Sequence, residues 1–368
     1  MRDPRAPENV LYLLGAGFSA PLGVPVMSNF LSMAKDQFAD NPKEFEHFAP
    51  IFDKIKRLGD LKNVFRADLS NIEEILSILE VPTFLEQNGD AGSFATFLAD
   101  VVSYYTPTPK LELPRPSGRA CHTFGVDGLV NGYAHFVAAL FNLRIPVLEN
   151  VQDQPTILRD SRAPLRYSVI TTNYDRVLEL YADFISTNWG IQCTFMSIAD
   201  AAKTGFNGEA PALAKLHGGV GDVTIVPPTW SKGSHPKIVP HWQASATLIS
   251  QAHHIRIIGY SLAPADAYIR FLLKHAVLDA SNLKTVDVIC LDDAKGTVER
   301  NYRTFFSRDF KGYRFRSQKI EDLFVPFINQ WQTDSGSQSD ALERAHQVCF
   351  AKPLVNETRH SLDGAFQL

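Results

Sequence analysis

Val10-Leu11-Tyr12-Leu13-Leu14 runs straight into Gly15-Ala16-Gly17-Phe18-Ser19-Ala20. Five consecutive apolar residues without alternation describe a strand covered on both faces, as in a parallel sheet flanked by helices. Glycines at the strand's end let the backbone turn tightly and approach a phosphate closely, and the G-x-G-x-x-A spacing puts the amides of the next helix behind that approach. The stretch therefore reads as the first strand-turn-helix unit of a nucleotide-binding sheet, with a dinucleotide as the leading ligand.

Outward from this stretch, apolar runs recur at Tyr167 to Thr171, Ile255 to Ile258 and Val286 to Leu291, each followed by turn chemistry and then by helical spacing, and Leu213 to Leu216 reads as a further short strand. Strands alternating with helices predict an α/β fold, a Rossmann-like doubly wound parallel sheet. The stretch between the first two strands is too long for an ordinary crossover and mostly helical in pattern, which predicts an inserted helical layer. Within it Ser70 or Asn71 is placed to cap a helix whose stripe is Ile72, Ile75, Leu76 and Leu79, and Pro82 ends it. The four prolines between Tyr104 and Gly118 predict a looped excursion before a helix around Tyr133 to Leu143. The expected division is a core from 1–30 and 160–331, a mainly helical insertion over 31–159, and a polar linker with an appendage over 332–368.

Composition narrows the function. Apolar residues make up 45% of the 368 and charged residues 21%, enough to build a sizeable core. Lys and Arg number 36 against 40 Asp and Glu, a net charge of -4, so there is no broad basic field for nucleic acid or an anionic membrane. The run Val10 to Leu14 is far shorter than a membrane span, and Asp3 and Glu8 precede it where a signal peptide would be basic; a cytoplasmic protein is expected. Cys121, Cys193, Cys290 and Cys349 are widely spaced and form no C-x-x-C pair, so neither zinc nor disulfides are expected.

The chemistry gathers at strand ends. Thr171-Thr172-Asn173-Tyr174-Asp175 follows the second strand and His217-Gly218-Gly219 the third; Gly259-Tyr260-Ser261-Leu262 repeats the strand-then-glycine pattern. Open α/β sheets bind ligands at this edge. Each segment alone also has a structural use: Asp175 as a helix cap, Asn173 in a turn, His217 satisfying nearby backbone. A dehydrogenase would need an acid at the end of its second strand about 20 residues after the glycines. Met27 to Phe38 instead looks helical, with Asp36 inside it.

Taken in order, GAGFS at Gly15 to Ser19, TTNYD at Thr171 to Asp175, LHG at Leu216 to Gly218 and GYSL at Gly259 to Leu262 resemble the sirtuin family's glycine turn, catalytic asparagine segment, catalytic histidine and ribose-binding serine turn. Two departures stand beside the likeness. Gly218 to Ala252 contains no cysteine where deacylating sirtuins usually carry a four-cysteine zinc module, and Gly23-Val24-Pro25 is followed by Val26-Met27-Ser28 in place of the family's acid-Phe-Arg stretch. The remainder resembles a bacterial sirtuin-like subgroup that hydrolyses NAD in antiphage defence.

That resemblance implies NAD+ as substrate, no zinc, and Asn173 and His217 as the catalytic pair. Asn173 would hold the ribose or orient water, and His217 would accept a proton. Gly15, Ala16, Gly17 and Ser19 would cradle the pyrophosphate; Thr172, Gly259, Ser261 and Asp292 would line the nucleotide, with Ser261 and Asp292 on the adenosine ribose. Asp175 would either accept from the nicotinamide amide or cap the following helix, and Asp266 would either cap a helix or face the nucleotide. It also implies a homo-oligomer and a partner such as a HerA-like ATPase. A deacylase, an ADP-ribosyl transferase and a non-catalytic NAD or ADP-ribose sensor are the competing readings.

Overall fold

The computed structural model describes residues 6–60, 72–79, 91–111, 124, 128–145, 157–221, 225, 236–264, 266–278, 282–333 and 336–351. Six strands form one parallel sheet: β1 (Glu8–Leu14), β2 (Leu165–Thr171), β3 (Leu213–Lys215), β4 (His254–Ile258), β5 (Thr285–Ile289) and β6 (Tyr313–Arg316). Their order across the sheet is β3-β2-β1-β4-β5-β6. This is the doubly wound Rossmann-like order, with the reversal of winding between β1 and β4.

The helices, in chain order, are α1 (Ala16–Ser19), α2 (Phe30–Asp40), α3 (Ala49–Asp60), α4 (Ile72–Leu79), α5 (Ala91–Tyr105), α6 (Gly128–Leu140) and α7 (Val177–Trp189). They continue with α8 (Ile198–Thr204), α9 (Val239–Gln251), α10 (Ala267–Leu278), α11 (Thr297–Phe305), α12 (Glu321–Thr333) and α13 (Gln338–Ala351). Among the described residues no helix is long and apolar enough to cross a membrane.

The unbroken apolar run of β1 has the cause expected of it. Val10, Tyr12 and Leu14 point into one core and Leu11 and Leu13 into a second, on opposite faces of the sheet. Its neighbours divide the same way: Tyr167 and Val169 face the first core with Ile258 and Ile289, while Ile170, Ile255, Ile257, Val286 and Val288 face the second. Helices α6, α7, α12 and α13 cover the first face, and α8, α9, α10 and α11 the second. A third core, built from Phe30, Phe48, Ile51, Ile72, Phe94, Phe97, Leu98 and Val101, holds α2 to α5 together as the helical layer. The Ser70 or Asn71 cap, the Pro82 stop and residues 112–118 of the proline-rich stretch lie outside the described residues.

Two expectations about organisation differ from what is found. Helix α6 lies within the stretch read as an insertion, yet Tyr133, Phe136, Val137 and Leu140 are buried in the sheet's first core, with Phe136 edge-on to Tyr12 at 5.1 Å. The main fold was expected to be complete by about residue 331, but α13 buries Ala341, Leu342, Ala345 and Cys349 in that same core. The polar look of α13 has a physical reason: the sheet beneath it is itself charged. Arg256 on β4 pairs with Glu343, and Asp287 on β5 takes two bonds from Arg314 of β6 (2.6 and 2.7 Å) and one from His346 (2.8 Å). A helix that satisfies buried charges must carry charges on its inner face, so its sequence reads as solvated.

Burial, with the Arg256 charge nearby, lowers the His346 pKa to about 4, so the neutral ring donates to the Asp287 carboxylate, itself held down to about 2 by Arg314 and His346 against the cost of burial. The unfolded chain takes up a proton at the ordinary histidine value near 6.5, whereas the folded chain does so only near 4. The stabilisation is therefore complete above pH 6.5 and is lost as pH falls towards 4, by roughly 3 kcal/mol for one such site. Urea unfolding midpoints measured across this window should fall with acidification in the parent protein, and the slope should be shallower in His346→Gln.

Candidate functional site

The loops at the carboxyl ends of β1, β2, β3, β4 and β5 converge on a cleft of about 500 Å³, within the size range of small-molecule sites. Its floor is the glycine turn. Gly15 N–H donates to the Ile258 carbonyl at 3.0 Å and Gly17 N–H to the Gly259 carbonyl at 2.9 Å, so the turn after β1 is stitched to the turn after β4. A methyl group on Gly17 would stand 2.9 Å from the Gly259 Cα, and one on Gly259, whose φ is +64°, would stand 2.3 Å from the Phe18 nitrogen. The two turns touch backbone to backbone, a contact that only glycine permits. From below, the Tyr133 hydroxyl donates to the Phe18 carbonyl.

Ala16 and Gly17 line the cleft, whereas Gly15 and Ser19 do not. The amides of Gly15 and Gly17 are taken up by the Ile258 and Gly259 carbonyls, so these glycines set the floor's shape. Ser19 is buried and turned towards the second strand loop. Its hydroxyl accepts from Asn173 Nδ2 at 3.3 Å and hydrogen-bonds the Asp175 carboxyl.

Asn173 lines the cleft and is held from three sides. Its N–H donates to Thr171 Oγ1 (3.0 Å), and its Nδ2 donates to the Gly15 carbonyl (3.0 Å) as well as to Ser19. A carbonyl can only accept, so the amide nitrogen must face Gly15 and the orientation of the side chain is determined. Among the described residues the Asn173 Oδ1 is then left as a buried acceptor with no hydrogen-bond partner. Such an atom is costly to bury and is expected to meet a donor from water or a ligand.

Asp175 also reaches the cleft wall and accepts from the first amide of α7, Val177 N–H, at 3.0 Å. Of its two expected roles, the capping contact is the one observed. Burial raises its pKa above the ordinary carboxyl value, opposed by Lys215, the Val177 amide and the Ser19 hydroxyl. Lys215, the single charged residue in β3, is buried and donates to the Asp175 backbone carbonyl (2.6 Å) and to Glu179 Oε1 (2.7 Å). It ties the β3 end to the β2 loop.

His217 follows directly and lines the same cleft, its ring 5.9 Å from that of Tyr174. The bend that delivers it is fixed by helix α9. Trp242 Nε1 donates to the Leu216 carbonyl (3.1 Å), and Lys215 N–H donates to His241 Nδ1 (2.9 Å). His241 can accept only when neutral there, and burial, with Lys215 nearby, lowers its pKa to about 4. Trp242 is thus a support for the histidine loop.

On the other side of the winding reversal, Gly259, Tyr260, Ser261, Asp266, Cys290 and Leu291 line the cleft, and Thr172 also lines it. Leu262 is fully buried with φ +49°, an unfavourable region for a branched side chain; its own burial and the bond from Arg270 to its carbonyl (3.1 Å) hold the loop there. Asp292 does not join this wall. Its carboxylate accepts from Val298 N–H (2.8 Å) and Glu299 N–H (2.9 Å), capping α11, because β5 ends at Ile289 and the chain has already turned by residue 292. The roof is apolar: Val24, Val26, Met27, Phe30, Ile72, Leu98 and Val102, from the segment after α1 and from the helical layer. Apolar positions on amphipathic helices look the same whether they face a core or a ligand, so the roof left no signal in the sequence. Lys215, a lone charge in an apolar strand, did leave one.

No protein-family profile matches the chain, and no curated protein is significantly similar to it. Among solved structures, similar chains include Sir2 in complex with the inhibitor EX-527, 2'-O-acetyl-ADP-ribose and a deacetylated p53 peptide (12% identity, 88% of this chain and 94% of that chain covered, TM-score 0.35). Sir2 with a p53 peptide and NAD+ (12%, 88% and 94%, 0.34) and Sir2Tm bound to a propionylated peptide (12%, 88% and 94%, 0.33) are others. At these scores the likeness supports no inference, and the fold assignment rests on the strand order itself.

Adding one methyl group to the stitched turns should test the floor directly. Gly259→Ala should destabilise the protein by about 2 kcal/mol or more, since overpacking and a positive φ act together. A chemical denaturation midpoint equal to that of the parent would contradict the close contact.

Proposed function

We propose that this protein cleaves NAD+ at the bond between nicotinamide and ribose, with water as the acceptor. The observation that carries the reading is the meeting of Asn173 and His217, 44 positions apart in sequence, in one cleft beside the glycine turn, with the Asn173 Oδ1 buried and unsatisfied.

Bond chemistry assigns the roles. As the bond breaks, positive charge develops on the ribose while the pyridinium leaves as neutral nicotinamide, so the leaving group needs no proton. The site must stabilise a cation and supply a nucleophile. The Asn173 Oδ1 is the negative end of an amide dipole whose positive end is pinned by Gly15 and Ser19, so it needs no reorganisation to face developing positive charge or to accept from a ribose hydroxyl or water. His217 takes the proton released from that hydroxyl or from water. The apolar roof limits competing water and strengthens each polar contact beneath it. Ser19 and Asp175 act on this site through Asn173 and the start of α7.

Water as acceptor is favoured over a lysine-bound acyl group by the cysteine pattern that set the chain apart in the first place. Cys193 and Cys349 are buried in the first core and Cys290 lies at the second, so these three do not share a cluster. Unchecked NAD+ hydrolysis would deplete a cell's dinucleotide pool. That outcome accords with the role of a toxic defence effector, controlled by assembly with itself or with an ATPase partner.

Purified protein incubated with NAD+ and no peptide should release nicotinamide and ADP-ribose in equal amounts. His217→Ala should slow release by roughly 10² to 10⁴-fold, and Asn173→Ala should also abolish most of it. Parent-like turnover in either variant would refute the assignment; release that required an added acceptor would point to transfer instead.

A further inference from the structure

Asn173 and Asp175 line two cavities: the cleft, and a much smaller one of about 10 Å³ whose other polar residues include Ser19, Glu179 and Lys215. A lysine buried at the end of an apolar strand is costly unless its charge is compensated. Here the compensation is lopsided. The Lys215 side chain is 5% exposed and that of its partner Glu179 is 26% exposed, so water screens the anion more than the cation and a net positive field acts inside. The ammonium also donates to the Asp175 backbone carbonyl at 2.6 Å. Gly219 makes room for it, since a methyl group there would stand 2.8 Å from Lys215 Nζ.

Asp175 is buried beside this cation and heads a series of hydrogen bonds. Its Oδ1 accepts from Val177 N–H at 3.0 Å, and its carboxyl is hydrogen-bonded to the Ser19 hydroxyl, which accepts from Asn173 Nδ2 at 3.3 Å. A carboxylate can only accept, so with Asp175 ionised the Ser19 hydrogen must point at it and the Ser19 lone pairs turn to the Asn173 amide. Each donor then points towards the charge. Hydrogen bonds in series polarise one another, which makes the Asn173 Oδ1 more negative. A protonated Asp175 has no charge to draw the series and carries an O–H that competes for the Ser19 oxygen. Burial pushes the Asp175 carboxyl above its ordinary value; Lys215 of β3 opposes this first, then the Val177 amide and the Ser19 hydroxyl, while Glu179 of α7 adds to the rise. Tyr133 of α6 is also within electrostatic range, its phenol pushed up by burial and so uncharged, and His217 shares the cleft wall.

On the reading of the cleft as the place where NAD+ is cleaved, we propose that Lys215 is a positioning residue for that reaction: it keeps Asp175 a carboxylate, and the carboxylate, acting through Ser19, orders and polarises the Asn173 amide. Lys215 does not itself line the cleft. Its action is on a proton, so the loss caused by removing its charge is reversed by raising the pH, whereas the loss of a strut is not.

The test follows Asp175 and the reaction together in the full-length protein. With isotope-labelled aspartate carboxyls observed by NMR, the Asp175 signal is identified by its absence from Asp175→Asn, and its titration is read without any dinucleotide. Lys215→Met should move that titration to higher pH, and Glu179→Gln, at the more exposed end of the same ion pair, should move it to lower pH. A purely structural ion pair predicts no such opposition, because either substitution breaks the same contact. Lys215→Met should also lower kcat for nicotinamide release at neutral pH by roughly tenfold or more, with KM little changed, and regain it above the new Asp175 midpoint. His217 titrates in the same cleft, and the carboxyl signal separates its effect from that of Asp175. An Asp175 titration that moves the same way in both variants or not at all, or a kcat deficit that no pH restores, would overturn the proposal. Should Lys215→Met fail to fold, Glu179→Gln decides: the carboxyl titration and the acid limb of kcat moving together to lower pH support it, and either one unmoved overturns it. A parent that releases no nicotinamide while the two variants titrate in opposite directions would overturn the NAD+ reading and leave the control of Asp175 by Lys215 standing.

Discussion

The contact between Gly17 and Gly259 is the constraint on which the rest of the cleft depends. Two loops that belong to strands far apart in the chain meet there without side chains between them, and each donates or accepts a backbone hydrogen bond across the junction. That junction lies where the winding of the sheet reverses, between β1 and β4. It sets the height of the floor, and it places the Gly15 carbonyl where only an amide nitrogen can meet it. Through that carbonyl the floor orients Asn173.

From this follows a division of labour among polar residues. Ser19, which would ordinarily be read as a ligand contact, is buried behind Asn173, and Asp175, although it reaches the cleft wall, also holds the first turn of α7. Lys215 and Trp242 do the same for the histidine loop. The polar side chains that line the cleft are Ser28, Thr172, Asn173, Tyr174, Asp175, His217, Tyr260, Ser261 and Asp266. A small set of exposed polar groups on a heavily braced support is what a site needs if its geometry is to persist in an apolar chamber.

The far face of the sheet repeats the theme for stability. Arg256, Asp287 and Arg314 put charge under α13, and Glu343 and His346 answer it. Removing either side would leave a buried charge uncompensated, which is far more costly than the pair is favourable. Helix α13 thus belongs to the core although its sequence is polar, and its burial depends on the strands it covers.

The sequence by itself determined the strand-turn-helix units, the Rossmann-like class and which polar residues stand at strand ends. Those properties are local: an uninterrupted apolar run requires cover on both faces, and a glycine or an asparagine at a strand's end constrains the next few residues. It also placed Asn173 and His217 at strand ends, and parallel strands put all such ends on one edge. Only the tertiary structure decided which polar groups face the cleft and which support it. Asp292 and Asp266 are both acids just beyond strands, and nothing local separates one that caps α11 from one that lines a wall. The same holds for α6 and α13, whose membership in the core depends on Tyr12, Arg256 and Asp287, residues 59 to 124 positions away. Periodicity records that a face is buried, but partners distant in sequence decide against what.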